Sequence, residues 1–388
     1  MLPPPATLRT AFPVLLLLLA FALPLTTYAQ ESKPTVETAG PDIRVALSGG
    51  LQTRLSYGVS VPPEGNAAST TDRLGFGIRR ARLRVRASIG PKAGLYLQLD
   101  GAGGSVSALD FYAQYQATPR LRFRLGRLVS AQPRSMVLTP LPQIDTVTRA
   151  AIAERWAGTT IGSDGRDFGL ETHYAADQGE VNLFIHNGDG SWDRARSNYR
   201  EDISSGNITR STERTGLAVG GYGAYRPASV KGLEVGAFGG LNTSRNPNTK
   251  PSSSTPGRKY VAYGAHAYWG ANPGSQAVRL KADLLGTAFS RSGGDRQHLL
   301  GLSFLAALRV APAVEAFGRA ERFETDINQS GTGDTYLTAG FNLSLSALRG
   351  AGAPFYQERL TLAYNGLFSG DDAAPTQHQV VLQALFFF

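Results

Sequence analysis

The run from Arg79 to Arg86 constrains the fold most strongly, because from Arg80 onward a cation alternates with an apolar residue. Successive residues of a β-strand point to opposite faces of the sheet. As a strand, this run places arginines on one face and apolar side chains such as Leu83 and Val85 on the other. A helix would scatter the same cations around its axis. We therefore predict a strand with one wet and one apolar face, which suits either a soluble sheet or a membrane barrel with a water-filled lumen.

The N-terminus resembles a secretory signal peptide. Arg9 precedes an apolar run over residues 11–25, and Thr27-Tyr28-Ala29 provides the small residues of a cleavage site. We predict cleavage after Ala29, so that residues 1–29 are a signal peptide. The alternative is an uncleaved anchor, but the apolar run is interrupted by prolines and is shorter than the roughly 20 residues that a spanning helix needs.

Composition narrows the classes of partner. Without residues 1–29 the chain has 38 basic and 30 acidic residues, a net charge of +8. A basic balance suits nucleic acid, acidic surfaces or anionic solutes. Export and the lack of a basic platform interleaved with aromatic residues argue against nucleic acid. The absence of cysteine removes disulfides and thiolate metal sites, and we expect no cofactor.

Alternation of apolar and polar residues recurs along most of the chain. Residues 30–42 read as a short linker, and from Ile43 to Val59 apolar residues occupy odd positions. The phase flips near Arg79-Arg80, which predicts a β-bulge. Seven such segments precede residue 190 and nine follow residue 214, which predicts about sixteen strands. Short turns alternate with long connections near 60–72, 130–165, 187–213 and 243–258. This arrangement is typical of an all-β transmembrane antiparallel barrel with short periplasmic turns and long extracellular loops.

The last predicted strand ends on an aromatic residue. Val380, Leu382, Ala384 and Phe386 alternate with other residues up to the terminal Phe388. This ending resembles outer-membrane barrel proteins in general, in which the assembly machinery reads a C-terminal aromatic residue. An edge strand of a buried sandwich can end in the same way.

Several segments together resemble the phosphate-selective porin O and P family. The most specific is Phe76-Gly77-Ile78-Arg79-Arg80-Ala81-Arg82-Leu83, followed by a hairpin that ends in Leu97-Gln98-Leu99-Asp100. Further similar segments are Leu109 to Tyr115, Leu125-Gly126-Arg127, Arg166-Asp167-Phe168-Gly169, Ala316 to Phe323 and the aromatic C-terminus. The resemblance covers most of the chain after residue 29.

The resemblance implies a sixteen-stranded barrel over residues 43–388, commonly trimeric. It also implies that residues 128–165 form an extracellular loop that folds inward as a constriction, and that arginines in the lumen lead to an anion site. One departure concerns that loop. Where the family usually has a lysine followed by Pro-Phe, this chain has the segment from Arg127 to Arg134, in which Arg134 is the candidate substitute.

Arginine suits an anion pathway, because its guanidinium stays charged and donates two parallel hydrogen bonds. The predicted anion pathway consists of Arg80, Arg82, Arg84, Arg86, Arg122 and Arg124. The candidates in the constriction loop are Arg134, Arg149 and Arg155. The alternative is that these arginines pair with carboxylates across the barrel and only stabilise it. The carboxylates considered are Asp100, Asp110, Glu171, Glu315 and Glu321.

The sequence thus favours a porin for passive diffusion of small solutes, with a preference for anions such as phosphate. Its expected partners are outer-membrane lipid, small anionic solutes, the barrel-assembly machinery and two further copies in a homotrimer. One alternative is an outer-membrane barrel enzyme, which needs a nucleophile beside a histidine, and no serine lies in a Gly-x-Ser-x-Gly motif. The other is a non-conducting structural or adhesin barrel.

Overall fold

The structure is a computed structural model, and it describes residues 35–37, 43–63, 70–129, 131–160, 164–188, 217–243, 260–290, 296–350 and 354–388. The predicted signal peptide lies outside these residues, as do most of the predicted loops at 187–213 and 243–258. No helix among the described residues combines the length and the hydropathy needed to cross a membrane.

Almost all regular structure is extended. The strands are β1 Thr35–Glu37, β2 Ile43–Val61, β3 Thr71–Ile89, β4 Ala93–Asp100, β5 Ser107–Gln116, β6 Leu121–Val129, β7 Arg166–Ala176, β8 Gly179–His186, β9 Ala218–Tyr225, β10 Leu233–Asn242, β11 Tyr260–Trp269, β12 Val278–Ser290, β13 Arg296–Ala311, β14 Val314–Glu324, β15 Gly333–Ser344, β16 Glu358–Ser369 and β17 Thr376–Phe387. Two short helices are described, α1 Ala151–Thr159 and α2 Leu345–Leu348, with a 3-10 turn at Leu141–Gln143.

The strands β2 to β17 form a closed antiparallel barrel. Each strand pairs with the next, and β17 returns to pair with β2 from Thr376↔Val61 to Phe387↔Gly50. The predicted sixteen strands are confirmed. In addition, β1 pairs with the start of β2 through Thr35↔Ala46, so a three-residue strand lies in the segment that the sequence predicted as linker.

The bulge predicted near Arg79-Arg80 is confirmed. Gln52 pairs with Arg80 and the next residue, Thr53, pairs with Ile78, so Arg79 is the extra residue. A bulge of one residue shifts the alternation and keeps the apolar residues on the same face. Phe76 before the bulge is 82% exposed and points outward, as does Leu83 after it.

The two faces of the barrel wall differ in polarity. Along β11, buried and exposed residues alternate without exception, from the buried Tyr260 to the exposed Trp269. Large apolar side chains are exposed on the outer face of many strands, for example Leu125 and Leu183. An outward apolar belt with an inward polar face is the pattern of a barrel that crosses a lipid bilayer.

Connections at the two ends of the barrel differ in length. At one end β3–β4, β5–β6, β7–β8 and β13–β14 are joined by two to four residues. At the same end the β15–β16 connection is longer, and α2 occupies it with the Ser344 side chain accepting from the Ala347 N–H. The longest connections lie at the other end, including 130–165 between β6 and β7. The predicted loop at 128–165 therefore begins two residues later than expected.

The main apolar core lies inside the barrel, beneath residues 131–160, which we call the inner segment. Trp156 on α1 is 2% exposed, and its ring meets that of Phe238 on β10 edge-on at 5.5 Å. Ile152 packs against β13, where Gly301 leaves the space: a Cβ there would lie 3.0 Å from Ile152. Further along, Val147 packs with Leu305 and other residues of the wall. Apolar packing therefore holds the inner segment against β9 to β17.

Candidate functional site

The predicted anion pathway maps to one side of the lumen. We call Arg80, Arg82, Arg84 and Arg86 on β3 together with Arg122 and Arg124 on β6 the arginine wall. The strands β4 and β5 lie between these two strands, and the register places Arg86 beside Tyr96 and Tyr96 beside Tyr112. The two arginine strands are therefore parts of one surface.

Two arginines of this wall are paired with carboxylates. The Arg82 Nε lies 3.0 Å from an Asp100 carboxylate oxygen on β4. Arg124 forms an ion pair with Glu171 on β7 through both guanidinium and carboxylate groups. These two arginines are neutralised by carboxylates that the alternative named, but each carboxylate lies on the adjacent strand and not across the barrel.

The other four arginines, Arg80, Arg84, Arg86 and Arg122, have no carboxylate within 4.0 Å among the described residues. Neutral groups contact them instead. Arg80 donates to the Gln52 amide oxygen at 2.6 Å, and Arg84 donates to that of Gln98 at 2.7 Å. Their positive charge is therefore not cancelled by an ion pair.

Arg86 and Arg122 contact rings. The Arg86 guanidinium lies 5.8 Å from the centre of the Tyr96 ring, and Arg122 contacts the His173 Nδ1 at 2.5 Å. Tyr96 stacks on Tyr112 with ring centres 5.0 Å apart, and Arg124 lies 5.3 Å from the Tyr112 centre. Cation–π and stacking contacts of this kind fix a guanidinium without neutralising it.

The three loop candidates occupy different surroundings. Arg134 pairs with Glu234 on β10 at 2.8 Å, and Arg155 pairs with Asp334 on β15 at 3.1 Å. Both side chains thus point to β10 and β15, which belong to the part of the barrel that packs against the apolar residues of the inner segment. Arg149 instead donates to the carbonyl oxygens of Met136 and Thr139 within the inner segment.

Arg149 is the loop candidate whose charge interacts with the arginine wall. Burial, followed by the repulsion of Arg82, lowers the pKa of Arg149 to about 9, with Arg166 and Arg79 contributing. The guanidinium still carries its charge at neutral pH. The charge of Arg149 interacts with Arg82 of the predicted pathway, whereas Arg134 and Arg155 pair with carboxylates on β10 and β15.

Much of the remaining lumen wall holds the inner segment by charge and hydrogen bonds. We call the inward-facing polar residues of β10, β12, β14, β15, β16 and β2 that contact it the anchoring wall. Asp145 of the inner segment accepts from Arg279 and from Lys281, both at 2.7 Å. Arg279 also pairs with Glu315 at 2.7 Å and is fully buried.

The charges of this cluster determine the ionisation of the Asp145 carboxyl group. Burial acts to raise the pKa of the Asp145 carboxyl group, but the charges of Lys281 and Arg279 outweigh burial and lower the pKa to about 2. Asp145 is therefore ionised at neutral pH. Removing one partner of a buried ion pair strongly destabilises the folded structure, because the other charge is left buried without compensation.

Side chains of the barrel also bind the backbone of the inner segment. Arg319 on β14 donates to the carbonyl oxygens of Thr148 at 3.2 Å and Arg149 at 3.1 Å. Asn342 on β15 donates to the Asp145 carbonyl at 2.8 Å. Arg359 on β16 donates to the Ile144 carbonyl, and Arg54 on β2 donates to the Val147 carbonyl. The carbonyl groups of residues 144–149 are thus largely engaged by the barrel.

The sequence did not predict this anchoring role. The residues concerned are Arg54, Arg279, Lys281, Arg319 and Arg359. A usable signal was present, because each occupies the polar phase of an alternating strand and therefore points inward. What alternation cannot supply is the partner, since Asp145 lies more than 130 residues from Lys281 in the chain.

Histidine geometry bears on the enzyme alternative. His173 and His186 face the lumen, with His173 beside Glu180 at 3.2 Å and His186 beside Asp167 at 2.7 Å. Within the described part of the chain no serine hydroxyl bonds to a histidine. A serine nucleophile beside a base is therefore not found among these residues.

Solved structures share this fold. An anion-selective porin from Comamonas acidovorans matches with a TM-score of 0.62 and 16% identity, covering 89% of this chain and all of that one. The outer membrane channel DcaP of Acinetobacter baumannii matches with a TM-score of 0.58 and 12% identity, covering 91% and 99%. The trimer form of OmpT, an outer membrane protein of Vibrio cholerae, matches with a TM-score of 0.55 and 13% identity, covering 89% and 100%.

No family model matches the chain, and no curated protein is similar to it. At these identities the structural matches concern the fold. The chain has the closed sixteen-stranded antiparallel fold of porin-like channels.

Proposed function

We propose that this protein is an outer-membrane porin for passive diffusion of small solutes that prefers anions. One observation carries the proposal: Arg80, Arg84, Arg86 and Arg122 on one side of the lumen have no carboxylate partner among the described residues. By contrast, Asp100, Asp110, Glu171, Glu315 and Glu321 each have a cationic partner. The arginine wall therefore carries positive charge that no described carboxylate compensates.

Such positive charge replaces the favourable hydration that an anion loses when it leaves bulk water. A row of fixed cations compensates the lost hydration, and spreading them along the path keeps each site weak enough for the ion to leave. The four arginines are spaced along β3 and β6, in contact with amides and rings. We expect them to raise the local anion concentration over the length of the lumen.

The inner segment supports a narrowed channel. It occupies the lumen against β9 to β17 and leaves the arginine wall opposite it. We propose that residues 128–165, predicted as a constriction loop, set the narrowest part of the pore. Arg149 is then the loop residue at the constriction, whereas Arg134 and Arg155 serve to attach the loop through Glu234 and Asp334.

The proposal extends to the membrane in which the protein lies, its oligomeric state and its family. The apolar outer belt and the fold shared with outer-membrane proteins support insertion in an outer membrane, after removal of residues 1–29 and with recognition of the strand ending at Phe388. A homotrimer is supported by the trimer form of one protein of the same fold. Membership of the phosphate-selective porin family is supported by the Phe76–Leu83 segment, and phosphate is therefore one candidate solute.

Bilayer recording of arginine variants tests the proposal. The triple variant Arg84→Gln, Arg86→Gln, Arg122→Gln removes three charges that have no carboxylate partner. We expect the anion-to-cation permeability ratio, measured from the reversal potential in a salt gradient, to fall by roughly twofold to fivefold for each charge at low salt. The matched control Arg322→Gln removes an outward-facing cation that pairs with Glu324, and should leave the ratio unchanged.

An unchanged permeability ratio in the triple variant would make these arginines structural. The absence of any conductance in the wild-type protein would instead favour the structural or adhesin barrel. Ester hydrolysis by the purified wild-type protein would favour the enzyme alternative, and we expect none because none of the described serines bonds to His173 or His186.

A further inference from the structure

An open cavity lies inside the barrel, between the inner segment and the end that carries the long connections. We call it the outer cavity; its volume is about 910 Å³, and residues of β2, β3, β15, β16 and β17 line it. Two of its arginines lie next to the inner segment, because Arg54 donates to the Val147 carbonyl and Arg79 is 3.9 Å from Glu154 on α1. Pockets that bind small molecules measure about 300–1,000 Å³. The outer cavity is therefore large enough for an organic solute.

Two glycines of β3 leave part of this space open. Before the bulge the odd-numbered residues of β3 point inward, since Phe76 points outward and Arg79 faces the inner segment. Gly75 and Gly77 thus face the cavity, and a Cβ added at either would have no neighbouring atom within 4 Å. Neither has a positive φ, and neither packs under a ring as Gly286 does, where a Cβ would lie 2.4 Å from a tyrosine ring. Glycine weakens a strand, and here neither backbone conformation nor packing against described neighbours requires it.

Cations lie on both sides of the two glycines. None of the residues that line the outer cavity carries a carboxylate. Arg73 is exposed, and no described residue forms an ion pair or a hydrogen bond with its side chain. The Arg79 side chain is 43% exposed, and its nearest carboxylate oxygen is that of Glu154 at 3.9 Å. The two arginines are about 20 Å apart along the strand, at a rise of about 3.3 Å per residue, so they offer two successive positions to an acid group.

Neutral polar side chains face the same space. They are Ser56 and Ser60 on β2, Asn365 on β16, and Gln377 and Gln379 on β17. Asn365 donates to Gln379 at 3.4 Å, whereas the side chains of Ser56, Ser60 and Gln377 make no hydrogen bond to a described residue. Hydroxyl and amide groups both donate and accept hydrogen bonds. Chloride and sulfate only accept, so this lining suits a solute with hydroxyl groups better than a simple inorganic anion.

We propose that the outer cavity binds a hydroxylated organic anion, of which a sugar acid is the type, before the solute reaches the arginine wall. Its carboxylate is held first by Arg73 and then by Arg79, since each guanidinium donates two parallel hydrogen bonds. The hydroxyl-bearing body lies over Gly75 and Gly77 and exchanges hydrogen bonds with the polar side chains of β2 and β17. This inference rests on the proposed function and names a solute class together with the residues that select it.

Valine substitution fills the cavity without changing any charge. In the double variant Gly75→Val, Gly77→Val the added methyl groups occupy the space of the solute body, and valine is favoured in strands. Gluconate is the probe, and the readout is the concentration that halves the chloride current through a planar bilayer. We expect gluconate to block the wild-type channel at a roughly tenfold lower concentration than glucose or sulfate. The double variant should need roughly fivefold to twentyfold more gluconate than wild type.

Gly318→Val is the matched control and should keep the wild-type gluconate block. An added Cβ at Gly318 also has no atom within 4 Å, but this residue shares the outward face of β14 with Ala320. A second variant, Arg73→Gln, leaves the glycines in place and should weaken the gluconate block by roughly threefold to tenfold. Its control is Arg322→Gln, which removes an outward-facing cation. Folding of each variant is checked by its heat-modifiable electrophoretic mobility.

An unchanged gluconate block in either folded variant would overturn the site in the outer cavity. Sulfate or glucose that blocks the wild-type channel as strongly as gluconate would overturn the assigned solute class. These results leave the proposed function intact if the wild-type channel prefers chloride to potassium. Potassium preference of the wild-type channel would instead contradict the proposed function itself, whatever gluconate does.

Discussion

The two sides of the lumen use the same residue type in different surroundings. On the arginine wall, Arg84 and Arg86 contact an amide and a tyrosine ring and are not buried, whereas Arg80 is buried beside the Gln52 amide. On the anchoring wall, Arg279 and Arg359 are fully buried and bind a carboxylate or a backbone carbonyl. The number of arginines that point inward is therefore a poor measure of the charge that a passing ion meets.

The difference teaches that partner and packing decide the role of each arginine. Where the inner segment covers the wall, apolar residues such as Ile152 and Trp156 exclude water, and the buried cations there bind a carboxylate or a backbone carbonyl oxygen. Where the segment leaves the wall uncovered, we propose that water and passing anions solvate the guanidinium. On this proposal, the inner segment divides one ring of polar strands into an attachment surface and a conducting surface.

The largest expected effect comes from breaking the attachment at Asp145. Asp145→Asn leaves Arg279 and Lys281 without their shared carboxylate in a buried site. We expect a loss of roughly 3–5 kcal/mol in the free energy that holds the inner segment in place. Single-channel recording should show larger and noisier openings, while the anion preference persists.

The control is Glu154→Gln, which removes a half-exposed carboxylate of the same segment that lies 3.9 Å from Arg79. It should leave the conductance close to the wild-type value. Equal conductance for Asp145→Asn and wild type would show that the anchoring wall does not hold the segment.

A second effect tests whether apolar packing shares in that attachment. Ile152 is fully buried between the segment and β13, and Ile152→Ala leaves a cavity. We expect a loss of roughly 2–5 kcal/mol, measured as a lower urea concentration for loss of the native conductance. Ile185→Ala, which trims an exposed outward side chain, is the control and should change this midpoint little.

Acid should release the segment through the same ion pairs. The pKa of Asp145 is about 2, below its ordinary value of 3.8, so its stabilising contribution is complete above about 3.8 and is lost as the pH falls through 2. We expect conductance at constant salt to be steady down to pH 4 and then to become noisier and larger. Asp145→Asn should lack this transition, and a transition of equal size in that variant would assign it to another group.

Much of the fold was predictable because alternation determines strand, face and phase together. The shift from Leu74, Phe76 and Ile78 to Ala81 and Leu83 predicted the bulge near Arg79-Arg80, and the structure places it at Arg79. The orientation of the arginine wall followed from the same pattern. The three-residue β1 was not predictable, because a strand of that length has no periodic signal.

The site was predictable only in part. Position in a strand shows that Arg82 and Arg84 point inward, but not that Asp100 neutralises one while Gln98 contacts the other. The attachment of the inner segment depends on contacts such as Arg359 with the Ile144 carbonyl, which join residues more than 200 positions apart. An irregular segment has no repeating pattern of residues from which such a contact could be predicted.

The smallest expected effect comes from removing carboxylates from the arginine wall instead of arginines. Asp100→Asn together with Glu171→Gln removes the carboxylates that neutralise Arg82 and Arg124. We expect the anion-to-cation permeability ratio to rise by roughly twofold, since two more guanidinium groups then act on the pore without adding any cation. Asp177→Asn, which removes an exposed carboxylate at the β7–β8 turn, is the control. A fall in the ratio would contradict the assignment of these pairs.

The central claim is that uncompensated arginines make one side of this lumen anion-preferring. The most direct measurement is the reversal potential of the purified wild-type protein in a planar bilayer with a salt gradient. The arginine wall predicts a potential of the sign given by chloride permeating faster than potassium, which decreases as the salt concentration rises and screens the wall. A potential of the opposite sign, or a bilayer without conductance, would contradict the claim.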